Sequence, residues 1–139
     1  MPCSYFEPQR IVRRMQQRAG RLPLLDEYDG VCRAGDDALA APQELRLRCC
    51  NQGYSRGICQ RYPAQKPHSG MRYSVIRRSE NALDVLCIEE QDYTPIWWRE
   101  VKYLIPDCRL EPEIADSCIR AQILAFCRSY LDRFCFTNS

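Results

Sequence analysis

Ten cysteines in a chain of 139 residues, with no C-x-x-C pair among them, constrain this sequence more than any other feature. They are Cys3, Cys32, Cys49, Cys50, Cys59, Cys87, Cys108, Cys118, Cys127 and Cys135. An even number at this density suits the disulfide framework of a small secreted domain. The opening residues MPCSYFEPQRIVRRMQQR, however, hold no apolar stretch of the secretory kind. They predict a cytoplasmic, reducing setting in which thiols stay free. Geometry removes one pairing as well. On a single helix over 113–134, Cys118 and Cys127 stand about 13.5 Å apart along the axis. A disulfide spans a Cα separation of at most about 7 Å.

The missing C-x-x-C excludes the spacing of zinc ribbons, thioredoxin-like redox sites and common ferredoxins. What remains is a looser group: Cys32, the adjacent pair Cys49-Cys50, and Cys59. The segment CCNQGYSRGICQRYP carries Gly53, Gly57 and Pro63, which predict a turn-rich loop. Irregular backbone of this kind can bend thiolates around one metal ion. Adjacent cysteines rarely aim at one ion, so one of Cys49 and Cys50 is expected to ligate while the other packs. Each thiol taken alone also fits the ordinary role of cysteine as a small buried hydrophobe.

The chain is 45% hydrophobic and 27% charged, which suits one globular domain over 1–139. No apolar run approaches the roughly 18–20 residues of a membrane span. Residues 8–20 predict a helix, with Pro8 in its first turn, Gly20 at its C-terminal end, and Ile11, Val12, Met15 and Ala19 on one face. Residues 21–47 predict a connection with short helical turns, anchored by Leu22, Leu24 and Leu25. The runs 71–78 and 83–89, joined through Ser79-Glu80-Asn81-Ala82, predict a β-hairpin. Ile96 to Leu104 alternates as a third strand, with one tryptophan expected outside the core. Over 113–134 an apolar arc that includes Ile119, Ile123, Phe126, Cys127 and Tyr130 predicts a long helix. Gln122, Ser129 and Cys118 fall on its polar side, and Cys87 and Cys127 belong to the core.

From Arg48 to Arg78 the chain has no acidic residue and several arginines interleaved with tyrosines. Arg56, Arg61, Arg72, Arg77 and Arg78, with Tyr54 and Tyr62, are candidates for gripping a nucleic acid or another polyanion. The net charge of only +2 weighs against a dedicated nucleic-acid module. The same positive charge beside thiolates would lower their pKa and offset a metal–sulfur centre. The single histidine, His68, is a candidate fourth ligand after Cys32, one of Cys49 and Cys50, and Cys59. No nucleotide-binding, hydrolase or zinc-protease motif is present.

The segment Cys50-Asn51-Gln52-Gly53-Tyr54-Ser55-Arg56-Gly57, closed by Cys59 and followed by Arg61-Tyr62-Pro63, resembles the signature of small, uncharacterised bacterial cysteine-cluster proteins. The likeness extends to LPLLDEYDGVC at 22–32. It implies that Cys32, Cys50 and Cys59 act as a unit and favours Cys50 over Cys49; it implies no reaction. The expected architecture is α+β: an N-terminal helix, a cysteine-rich loop, and a small antiparallel sheet (hairpin plus third strand) packed by a C-terminal helix. The expected function is binding of an iron–sulfur cluster or zinc through Cys32, Cys50 and Cys59, with a fourth ligand from Cys49, Cys3 or His68. A polyanion-binding module and a thiol redox switch are the alternatives.

Overall fold

In the computed structural model, residues 2–14, 22–35, 37–53, 59–63 and 69–134 are described. Two segments distant in sequence build the first sheet: β1 (Phe6–Arg13) pairs antiparallel with β2 (Glu27–Cys32), which pairs in turn with β3 (Leu39–Ala40). The register sets Phe6 against Cys32, Pro8 against Gly30 and Ile11 against Tyr28. Residues 8–13 therefore do not form the helix expected over 8–20; the remainder of that stretch, 15–20, lies outside the described residues. The apolar spacing that suggests a helix turn is overridden by pairing with a partner strand. β-branched Ile11 and Val12 suit an extended backbone as well as a helical one.

The close approach of β1 and β2 requires a glycine. A Cβ on Gly30 would lie 2.0 Å from the Glu7 carbonyl oxygen and 2.9 Å from Pro8 Cα. After β3, one helical turn, α1 (Gln43–Leu45), runs into a π-helical turn over Arg46–Asn51. The 21–47 stretch thus holds two strands as well as the expected short turn. Its leucine anchors do pack: Leu22 and Leu24 are buried, and Leu25 rests against the core.

The second sheet has the expected hairpin and third strand. β4 (Ser69–Arg78), β5 (Ala82–Gln91) and β6 (Thr94–Leu104) pair antiparallel in sequence order, and a short β7 (Arg109–Glu111) adds to β6. The hairpin closes with the Ser79 amide donating to the Ala82 carbonyl at 2.9 Å. Alternation places Leu83, Val85 and Cys87 of β5 and Val101 and Tyr103 of β6 in the core.

The C-terminal helix, α2 (Ser117–Phe134), starts where Asp116 Oδ1 accepts the amides of Cys118 (2.9 Å) and Ile119 (3.1 Å). That is a side-chain N-cap, which satisfies donors no helical carbonyl can reach. Its apolar arc meets the second sheet, with the Phe126 and Tyr73 rings 5.9 Å apart. Part of the arc that looks polar in sequence, Gln122 and Ser129, is buried too, against the first sheet and the N-terminal segment, while Arg128 stays exposed. Gln122 donates to the carbonyls of Cys3 and Phe6, both at 2.8 Å, and accepts the Tyr73 hydroxyl at 2.7 Å. Tyr28 donates to the Ala125 carbonyl at 2.8 Å, and its hydroxyl lies 2.6 Å from that of Ser129. Cys118 is likewise buried rather than solvent-facing. Gln122 and Ser129 are polar and yet at 0% exposure because each finds partners in this seam. At the far end of the helix, Arg133 binds the buried Asp26 at 2.6 Å and the Leu25 carbonyl at 2.7 Å.

Candidate functional site

Five cysteines from four stretches of chain wall one small cavity of about 10 Å³: Cys3, Cys32, Cys49, Cys50 and Cys59. Phe6, Pro42 and Tyr62 supply its apolar lining, and Arg61 adds a cation to the wall. A space of this size takes one water-sized occupant.

Each wall has an identifiable support. Cys32 ends β2, where its pairing with Phe6 and Leu39 fixes it. Cys3 precedes β1, donates its amide to the Cys50 carbonyl at 3.0 Å, and forms a bridge with Gly70. Cys49 and Cys50 lie in the π-helical turn, whose wider winding brings two successive side chains nearer to one face than an α-helix does. Both therefore line the cavity. Cys59 stands at the head of a turn, its carbonyl accepting the Tyr62 amide at 3.1 Å. Tyr62 is then held edge-on by Tyr5, with ring centroids 5.6 Å apart.

Asn51 ties the π-helical turn to β2. Its Oδ1 accepts the Tyr28 amide at 2.9 Å, while Nδ2 donates to the carbonyls of Tyr28 and Arg46, each at 2.9 Å. The buried amide thus sets Cys49 and Cys50 at a fixed distance from the strand that carries Cys32. Arg46, on the same turn, reaches Glu27 of β2 at 3.0 Å.

Burial pushes the Cys50 thiol up to about 12, and the neighbouring Cys3, Cys32, Cys59 and Cys49 add to the shift. The Cys49 thiol is raised as well, by burial first and then by Cys59, with Arg48 opposing. Burial thus keeps both thiols protonated at neutral pH, despite Arg61 in the wall. An activated nucleophile or peroxide-sensing cysteine needs the opposite shift. Among the described residues, no three Cys, His, Asp or Glu side chains stand ready-spaced as ligands to a single ion.

Cys32, Cys49, Cys50 and Cys59, grouped from sequence, thus share one cavity, and Cys3 joins them. His68, the other candidate fourth ligand, lies outside the described residues, as do Arg56 and Tyr54. The described arginines of the basic stretch are largely engaged. Arg61 donates to the Ala40 carbonyl at 2.8 Å, Arg72 meets Glu90 at 2.8 Å, and Arg77 binds Asp84 at 3.0 Å and Glu100 at 3.2 Å. Arg78 is exposed at the end of β4. The acids that neutralise this stretch come from β5 and β6, beyond the window that looks purely basic in sequence.

The remaining described thiols are elsewhere. Cys87 and Cys127 are in the core as expected, and burial raises both their pKa values, Cys87 to about 12. Cys108 is exposed and donates to the Ile105 carbonyl at 3.7 Å. Sequence reasoning passed over Asn51, Gln122 and Tyr28, which position the thiol walls. Asn51 adjoins the cysteine pair, but nothing in its type marks it as a buried bracket.

No protein-family model, curated protein or solved structure matches this chain. Among the described residues, no helix is long and apolar enough to cross a membrane.

Proposed function

We propose that this chain binds a metal centre through the thiolates of Cys3, Cys32, Cys50 and Cys59, either an iron–sulfur cluster or a zinc ion. The observation that carries this reading is the gathering of five thiols, from four separate stretches of chain, around one cavity. Core packing accounts well for Cys87 or Cys127, each set among aliphatic and aromatic neighbours. It does not explain why half of the ten cysteines should face one another.

The chemistry of the donors fits. Metal ligation deprotonates each thiol, so the centre supplies positive charge that offsets the burial keeping Cys50 protonated. Ligands from the N-terminal segment, the end of β2, the π-helical turn and the turn at Cys59 would be cross-linked by one group. Four thiolates fill the coordination of a zinc ion, which suits a cavity of about 10 Å³, whereas a four-iron cubane with one protein ligand per iron would require the walls to move apart. That leaves no position for a substrate, so the centre serves structure or electron transfer rather than Lewis-acid catalysis. Cys49 then remains as a neighbouring thiol outside the ligand set. A reducing compartment, the cytoplasm, suits such thiols.

Anaerobic purification followed by iron, sulfide and zinc analysis tests the reading. One equivalent of zinc, or iron and acid-labile sulfide in matched amounts, is the expected result. Folded protein free of all three rejects it.

A further inference from the structure

We infer that the strand edge at Thr94–Val101 is a self-association surface, on which β6 of a second copy of this chain pairs antiparallel with β6 of the first. On one side β6 pairs with β5 from Thr94 to Leu104, but on the other β7 covers only Lys102–Leu104. Among the described residues, no strand pairs with the outer edge of the preceding eight positions. Such an edge offers a row of backbone donors and acceptors that only another strand can satisfy together.

Ile96, Trp97 and Trp98 make the middle of this edge apolar, between Pro95 on one side and Arg99 and Glu100 on the other. Trp98 is 68% exposed, Ile96 50% and Trp97 42%. With Leu86, Ile88 and Pro95 they line an open groove of about 440 Å³, and Ile88 sits directly opposite Trp98 on β5. The opposite edge of the same sheet, β4, carries Arg72, Arg77 and Arg78, the kind of charge that blocks edge-to-edge pairing. Three arginines stand on the β4 edge, whereas an isoleucine and two tryptophans run consecutively along β6.

Symmetry selects the occupant. Two antiparallel copies of one strand can be related by a two-fold axis only if that axis stands perpendicular to the sheet. Opposed residues then lie on the same face, so their numbers differ by an even amount. Centring the axis on Arg99 would set like charges against each other, which is unfavourable. Centring it on Trp97 sets Trp97 against its copy and Ile96 against Trp98 twice. Centring it on Trp98 sets Trp98 against its copy and Trp97 against Arg99, a cation–π pairing. The edge is thus complementary to itself about its tryptophans. Two four-stranded sheets become one continuous sheet of eight, with α2 of each copy on the same face.

Because both tryptophans of the chain lie on this edge, emission excited selectively at tryptophan reports on it. The test is sedimentation velocity over a concentration series from low micromolar to sub-millimolar, with emission spectra on the same samples. The expected result is a monomer–dimer equilibrium with a blue shift of emission as dimer forms. Trp98→Lys should weaken association at least about tenfold, and Ile76→Lys on β4 should leave it unchanged, with circular dichroism matching the parent for both. A chain that stays monomeric throughout overturns the inference. So does a dimer indifferent to Trp98→Lys, or one weakened equally by Ile76→Lys.

Discussion

Asn51 brackets the peptide group of Tyr28 as a neighbouring strand would, accepting its amide and donating to its carbonyl, each at 2.9 Å. A third bond, to the Arg46 carbonyl five residues back, closes the π-helical turn on itself. One side chain therefore holds the turn bearing Cys49 and Cys50 against the strand bearing Cys32. Asn51→Ala strands several backbone groups at a site with 0% exposure, where water cannot replace the amide. The expected cost is about 2–4 kcal/mol, read from urea unfolding. Metal content should fall with it, because the turn loses its register with β2.

Gly30 is the tightest point between the first two strands. With a Cβ 2.0 Å from the Glu7 carbonyl oxygen, Gly30→Ala cannot be absorbed by a flexible side chain; backbone must move. A loss of about 2–4 kcal/mol is expected, in the range of substitutions that force such rearrangement. Hydrogen exchange should speed selectively at the paired amides of β1 and β2. Unchanged protection there would show that the two strands are not held this closely.

Alkaline pH should destabilise the metal-free chain through its core thiols. Burial raises Cys87 from 9.0 to about 12, and it raises Cys127 as well, with Cys87 contributing. Cys118 is also raised, to about 11, and with the smaller shift counts for less. A raised folded pKa means that above about pH 9 the unfolded chain has released protons that the native chain still holds. Stability is therefore level below that pH and declines as pH rises toward the folded values. The slope approaches about 1.4 kcal/mol per pH unit for each fully buried thiol. Urea midpoints across that window should show the decline, and Cys87→Ala should make it shallower.

Much of the second sheet and α2 was legible in sequence because their patterns are local. The hairpin announces itself by two β-rich runs on either side of Ser79-Glu80-Asn81-Ala82, of which Ala82 already belongs to β5, and α2 by its apolar arc. The first sheet was not legible. Residues 8–13 become a strand only because Glu27–Cys32, well downstream, pairs with them, and that partner carries two acids and a glycine rather than a β-rich run. The polar arc of α2 misleads for a related reason. Gln122 and Ser129 look solvent-facing until Tyr73, Tyr28 and the Cys3 carbonyl are brought to them by tertiary structure. At the thiol cavity, the group Cys32, Cys49, Cys50 and Cys59 was picked out in sequence on the expectation of a cysteine-rich loop, but Cys32 ends a strand and Cys49 and Cys50 lie in a π-helical turn. Cys3 could be named only as one option, since its place depends on Gln122 and on its bond to Cys50.

The most direct test of the thiol centre is X-ray absorption at the metal edge of protein purified without air. A first shell of four sulfur atoms at about 2.3 Å is predicted, whether the occupant is zinc or iron in a cluster, and a metal–metal vector separates the two. Cys50→Ser should exchange one sulfur for a lighter atom or empty the site, and Cys49→Ser should leave the spectrum unchanged. A shell of nitrogen and oxygen, or a folded chain carrying no metal, would contradict the account.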